Sequence, residues 1–256
     1  MSIHLAKVGR RQAVVCSDGQ GTDDKGPIRT DYEKLFQTGE RSLCGIGGAL
    51  FLNRAGTDLI APRITKLCSV DALLDSPRKF LSALRDDLHQ SFIKLFATDA
   101  DAFKWYLDDT KIVFEAFSLM RERTGEITLL ELQFPLENDA GTPRLGEPKI
   151  ITTMEGEMPR GVFCFALGPE YVQRNPLMPL NPDSGDDAIL AMVDPMIDSF
   201  KRNDAMCRNE IGGVIEVAAI DADGFRWLRR DETKARPTET TKPSLWRRAL
   251  AFAGCP

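Results

Sequence analysis

Over the first fifty residues, apolar runs are short and separated by turn residues, the pattern of β-structure. Ile3 to Val8 alternates imperfectly, Gly9 to Gln12 is polar, and Ala13 to Cys16 is apolar, so the three together predict a hairpin. A polar loop with the turn pair Gly26-Pro27 is expected from Gly19 to Asp31. Leu35 to Gln37 and Ser42 to Ile46 flank Thr38-Gly39-Glu40 and predict two more strands. Gly47-Gly48 closes the second of these, and Ala49 to Asn53 suits the opening of a helix.

The periodicity then changes from two to between three and four. From Pro77 to Phe96, Phe80, Leu81, Leu84, Leu88, Phe92, Leu95 and Phe96 fall on one face, with Arg85, Asp86, Asp87, Gln90 and Lys94 between them. This predicts an amphipathic helix with Ser76 as N-cap and Pro77 in the first turn. Lys111 to Met120 and Glu126 to Phe134 predict strands around a turn at Thr124-Gly125, and Lys149 to Thr153 and Gly161 to Ala166 predict two more. Leu136 to Glu147, rich in turn residues, is expected as a loop. Asp186 to Asn203 predicts a second helix, with Pro195 as a possible kink. Val214 to Ile220, the turn Asp221 to Gly224, and Phe225 to Leu228 predict a closing hairpin.

This order of elements predicts an α+β class. One domain is expected over residues 1–230. Residues 231–256 are expected as a polar linker followed by a short C-terminal helix or tail, Ser244 to Ala253. There are 33 Lys and Arg against 38 Asp and Glu, a formal net charge of −5 that argues against a nucleic-acid partner. No apolar run reaches the length of a membrane span, and Lys7, Arg10 and Arg11 interrupt any export signal, so a cytoplasmic location without membrane partners is expected. The six cysteines form no Cys-x-x-Cys pair and are read as free thiols. Two histidines, His4 and His89, are too few for a multi-histidine metal site, and no metal or cofactor is called for. His4, in the first strand, is read as structural.

The familiar nucleotide and hydrolase motifs fail on inspection. Gly45-Ile46-Gly47-Gly48 has Leu50 where a dinucleotide fingerprint needs its third glycine. Gly21 to Gly26 is followed by Pro27 rather than the lysine of a phosphate-binding loop. Asp221-Ala222-Asp223-Gly224 lacks the further acids of a calcium loop. Neither a Gly-x-Ser-x-Gly elbow nor a His-Glu-x-x-His pair occurs.

Ser2 follows Met1 and is small enough for that methionine to be removed. The exposed serine would carry a hydroxyl and an α-amine, whose ordinary pKa of about 7.7–8.0 leaves much of it neutral near pH 7. Such an amine can act as base for its own hydroxyl. The chemistry also needs a cation, a carboxylate to hold it, and N–H groups for the oxyanion.

Asp18, Lys34 and Gly48 stand sixteen, thirty-two and forty-six residues beyond Ser2. In this spacing the chain resembles the proteasome β-subunit family and its bacterial relatives. Ala13 to Asp18 resembles that family's apolar strand ending in Asp, Glu33-Lys34-Leu35-Phe36 its Lys-bearing strand, and Cys44 to Gly48 its glycine-ended strand. Val214 to Phe225 is similar to its final strand and Asp-Gly turn, and Asp186 to Asn203 to the helix before it. The likeness is strongest over residues 2–50 and 186–228. Departures are Ser2 for the usual Thr, Asp18-Gly19-Gln20 for Asp-x-Arg, and Ala166-Leu167-Gly168-Pro169 for a Gly-Ser-Gly segment. Arg208-Asn209-Glu210-Ile211-Gly212 also stands for Asp-x-x-Ser-Gly, without the acid and the serine.

The resemblance implies a four-layer αββα Ntn-hydrolase (proteasome-like) fold. It implies an N-terminal-nucleophile amide hydrolase of peptidase type. Ser2 would be the nucleophile, Lys34 the activating cation, Asp18 its anchor, and the Gly48 N–H part of the oxyanion hole. The implied partners are a peptide or protein substrate, further copies of the chain in a ring, and an ATPase of unknown identity. A non-catalytic, ring-forming subunit of the same family is the alternative.

Overall fold

The computed structural model describes residues 4–23, 26–29, 31–53, 58–108, 111–156, 162–165, 180–203 and 211–230. Ser2, the segments 166–179 and 204–210, and the expected C-terminal helix therefore lie outside the described residues.

The predicted first hairpin forms from β1 (His4–Val8) and β2 (Ala13–Ser17), antiparallel, with Val8 opposite Ala13 and His4 opposite Ser17. The loop expected after it holds a short pair, β3 (Gly21–Asp23) and β4 (Gly26–Arg29). β5 (Leu35–Gln37) and β6 (Ser42–Gly48) follow. The helix expected to open at Ala49 does not form there. Ala49 donates its N–H to Val113 O at 2.7 Å, Phe51 bridges Leu59, and α1 (Ala61–Leu67) begins only afterwards, with Pro62 in its first turn.

The long amphipathic helix is α2 (Pro77–Asp99), in which Phe80, Leu81, Leu84, Leu88, Phe92 and Leu95 are buried. Ser76 makes no side-chain cap; instead its carbonyl accepts from the Phe80 N–H at 2.9 Å. After the short α3 (Lys104–Asp108) come β7 (Ile112–Arg121), β8 (Ile127–Asp139), β9 (Thr142–Leu145), β10 (Lys149–Gly156) and β11 (Val162–Phe165). The loop expected over Leu136 to Glu147 is thus the end of β8 paired back on β9. α4 (Asp186–Asn203) carries Asp186 and Asp187 in its first turn and Lys201 and Arg202 in its last, as its dipole favours. β12 (Glu216–Ile220) and β13 (Phe225–Arg229) close the described chain.

Two antiparallel sheets result. Sheet I has the order β11-β1-β2-β12-β13, and sheet II the order β10-β8-β7-β6-β5 with β9 beside β8. Strand alternation gives each sheet two apolar faces. Ala6, Val8, Val15 and Ala218 of sheet I meet Leu43, Phe117, Leu119 and Leu129 of sheet II in one core. The outer side of sheet II is covered by α1 and α2. The outer side of sheet I meets Ile189, Val193, Met196 and Ile197 of α4.

The expected four-layer αββα Ntn-hydrolase fold is corrected by this arrangement. The described chain is mainly antiparallel β, two sheets with few individual helices rather than a sandwich between extensive helical layers. The physical reason lies in residues 112–156, which run almost wholly as the long strands β7 to β10. One end of the two sheets is locked by Arg121, which donates to Arg10 O at 2.6 Å, and by the Phe225 N–H, which donates to Glu40 O at 2.7 Å. The other end carries the candidate site. No helix among the described residues is long and apolar enough to cross a membrane.

Candidate active site

At the end of the sheets opposite the β1–β2 turn, chain order brings two buried charges together. Asp18 follows directly on β2 and Lys34 directly precedes β5, where the Ile46 N–H holds the Lys34 carbonyl at 2.9 Å. Lys34 Nζ lies 3.1 Å from Asp18 Oδ1, and it also donates to the Gln20 carbonyl at 2.5 Å. Asp18 Oδ2 accepts from the Gln20 N–H at 3.2 Å and the Gly212 N–H at 3.4 Å. Gly19 and Gly212 are joined through backbone at 3.1 Å, and the Tyr32 N–H reaches Gly19 O at 2.9 Å. A buried ion pair repays its desolvation only when its other valences are met by hydrogen bonds, and here backbone groups meet them.

A row of polar side chains flanks the pair. His4, Ser17 and Glu216 are cross-strand neighbours on β1, β2 and β12. Alternation places them with Ala6, Val15 and Ala218, on the face turned toward sheet II. All three are buried. His4 Nε2 lies 2.7 Å from Ile46 O, and its ring packs T-shaped against Phe117, with ring centroids 5.3 Å apart. A carbonyl only accepts, so Nε2 carries the proton and Nδ1 is left as an acceptor. Nδ1 is buried with no hydrogen-bond partner among the described residues. Burial, and after it the Lys34 charge, lower the His4 pKa to about 4, against the opposing effects of Asp18 and the Ile46 carbonyl. The ring is therefore neutral near pH 7.

Of the four residues expected in the site, the structure brings Asp18 and Lys34 into direct contact. Gly48 lies two positions beyond Ile46 at the end of β6, at φ +81°, with no hydrogen bond to either charge described. Ser2 lies outside the described residues, two positions before His4. Sequence reasoning missed Gln20 and Gly212, which act through backbone atoms and leave no side-chain signature. It read His4 as structural, and the His4–Ser17–Glu216 row becomes visible only once strand register is known.

Cys16, Cys44 and Cys68 offer no competing nucleophile. Burial raises Cys16 to about 12 and Cys44 well above its ordinary value, and burial with the Glu33 charge raises Cys68 to about 12. A thiol so shifted stays protonated and unreactive. No group of three or more metal-ligating side chains occurs among the described residues. Neither a family model nor a curated protein matches this chain.

Proposed function

We propose that the chain is an N-terminal-nucleophile amide hydrolase acting on peptides, with Ser2 as nucleophile once Met1 is removed. The observation that carries this reading is the buried Asp18–Lys34 pair, beside a strand whose first described residue, His4, is two positions after Ser2 and feels both charges. Lys34 supplies the positive potential that favours an alkoxide, and Asp18 fixes its position.

In the first step, Ser2 Oγ attacks the scissile carbonyl while the α-amine takes the hydroxyl proton. The carbonyl oxygen becomes an oxyanion, for which the Gly48 N–H is the candidate donor. Collapse breaks the C–N bond, and the proton passes to the leaving amine. Water then attacks the acyl ester while the Ser2 α-amine takes its proton, and the acid departs as that proton returns to Oγ, regenerating Ser2.

Intact mass of the purified protein and labelling with a β-lactone test this reading together. Loss of Met1 and an acyl adduct on Ser2, absent in Ser2→Ala, are expected; retention of Met1 in active protein overturns it. The full burial of both charges favours a second reading, a non-catalytic subunit that assembles with copies of itself and keeps the pair as a structural anchor. That reading expects no adduct and a multimeric mass by light scattering.

A further inference from the structure

Opposite the His4–Ser17–Glu216 row, the inner face of sheet II is also polar. Gly47, Glu115 and Gln133 are cross-strand neighbours on β6, β7 and β8, and Gly45, Phe117 and Glu131 form the adjacent row. Phe114 and Ala116 belong to the core under α2, whereas Phe117 and Leu119 belong to the core between the sheets. Alternation therefore turns Glu115 inward. By the same argument Leu130 and Leu132 face α2, and Glu131 and Gln133 face inward.

Two acids thus share this inner face, Glu131 directly paired with the Phe117 that touches His4 and Glu115 in the next row. Glu131 accepts from the Gln133 amide at 2.6 Å. Glu115 Oε1 is buried and has no hydrogen-bond partner among the described residues. Burial first, and the Glu131 charge second, raise the Glu115 pKa to about 8. Across the register from Gln133, Lys149 is exposed and makes no ion pair with either acid among the described residues. Gly47, directly opposite Glu115, contributes no side chain to fill the neighbouring position.

We propose that Glu115 and Glu131 form a subsite for a cationic group, the ammonium or guanidinium of a bound chain. As a pocket for part of a substrate, this subsite rests on the hydrolase reading. A cation with N–H donors supplies what the buried Glu115 oxygen lacks and offsets the repulsion from Glu131. The reaction balances simply: the Glu115 acid loses its proton to solvent, and the resulting carboxylate pairs with the cation.

Benzamidine, an amidinium with no amide bond to cleave, is the probe. Titration calorimetry at pH 7 in two buffers of different ionisation enthalpy reads affinity and proton release together. Saturable binding by the wild type with release of about one proton is expected, as linkage to an acid of raised pKa requires. Glu115→Gln, a neutral isostere, should bind at least tenfold more weakly and release no proton. Glu131→Gln should weaken binding as well, and it serves as the test should Glu115→Gln fail to give a native circular-dichroism spectrum. Absence of saturable binding in the wild type, or unchanged binding in the folded variants, overturns the subsite. Binding without any amide cleavage leaves the subsite standing and removes the hydrolase reading, so the two failures are distinguishable.

Discussion

The Lys34 ammonium and the Asp18 carboxylate lie 3.1 Å apart with neither side chain exposed to solvent. Their value to the protein is asymmetric. Removing one charge strands the other where water cannot reach it, at a typical cost of about 3–5 kcal/mol, whereas removing both does not. Lys34→Met and Asp18→Leu are each expected to lower the urea midpoint steeply. The double variant should recover a large part of the loss, though the Gln20 and Gly212 N–H groups that Asp18 accepts stay unpaired. All three variants should lack the proposed peptidase activity. Equal stability of the single variants and the wild type would contradict the buried pair.

His4 gives the protein a pH limit on the acid side. Its folded pKa of about 4 lies below the ordinary value of 6.5, so between those values the unfolded chain binds more protons than the folded one. Stability from this group is complete above pH 6.5 and is lost as pH falls toward 4, by about 3 kcal/mol in all. Glu115 acts in the opposite sense, since its raised pKa removes stability as pH rises through about 8. Comparison of the wild type with His4→Asn cancels the Glu115 contribution. The difference in unfolding free energy between the two should shrink as pH falls from 6.5 to 4, and a constant difference would refute the assignment.

Two glycines at similar backbone angles separate strain from steric exclusion. Gly48 has φ +81° and a Cβ there would stand 2.5 Å from the Val113 carbonyl oxygen. Gly141 has φ +87° with nothing within 4 Å of such an atom. Gly141→Ala should therefore cost only the backbone term, about 1 kcal/mol. Gly48→Ala meets a main-chain oxygen held by the Ala49 N–H and should cost at least ~2 kcal/mol more, read as a lower midpoint in urea.

Much of this architecture was legible in side-chain pattern. Asp186–Asn203 matches its predicted bounds, and Pro77 starts α2 as expected, because a 3.6-residue apolar stripe reports directly on one packed face. The turn residues Asn138, Asp139 and Gly141 misled because they mark only a hairpin tip: β8 runs to Asp139 and returns at Thr142. Exposure on both sides there removes the alternation that identifies a strand. The αββα expectation failed because it came from a resemblance strongest over residues 2–50 and 186–228, which carried little about residues 112–156, where the long antiparallel strands lie. Asp18 and Lys34 were visible through their spacing, whereas Glu115 and Glu131 lie sixteen residues apart on neighbouring strands and meet only through register.

Gly45 and Phe117 provide the last test, of the contact on which the inner row depends. They are paired across β6 and β7, and a Cβ at Gly45 would lie 2.1 Å from the Phe117 ring. The ring therefore occupies the place of the missing side chain while it packs T-shaped against His4. Gly45→Ala must displace the ring and disturb the His4 contact, while Phe117→Leu leaves a void over the glycine. Combined, the new methyl group occupies space that the shorter side chain vacates. The two changes should be less harmful together than their separate costs predict, with a coupling of about 1 kcal/mol or more in a double-mutant cycle. Strict additivity in urea unfolding would mean that the ring does not rest on Gly45, and the described link between Phe117, His4 and the paired acids would fall with it.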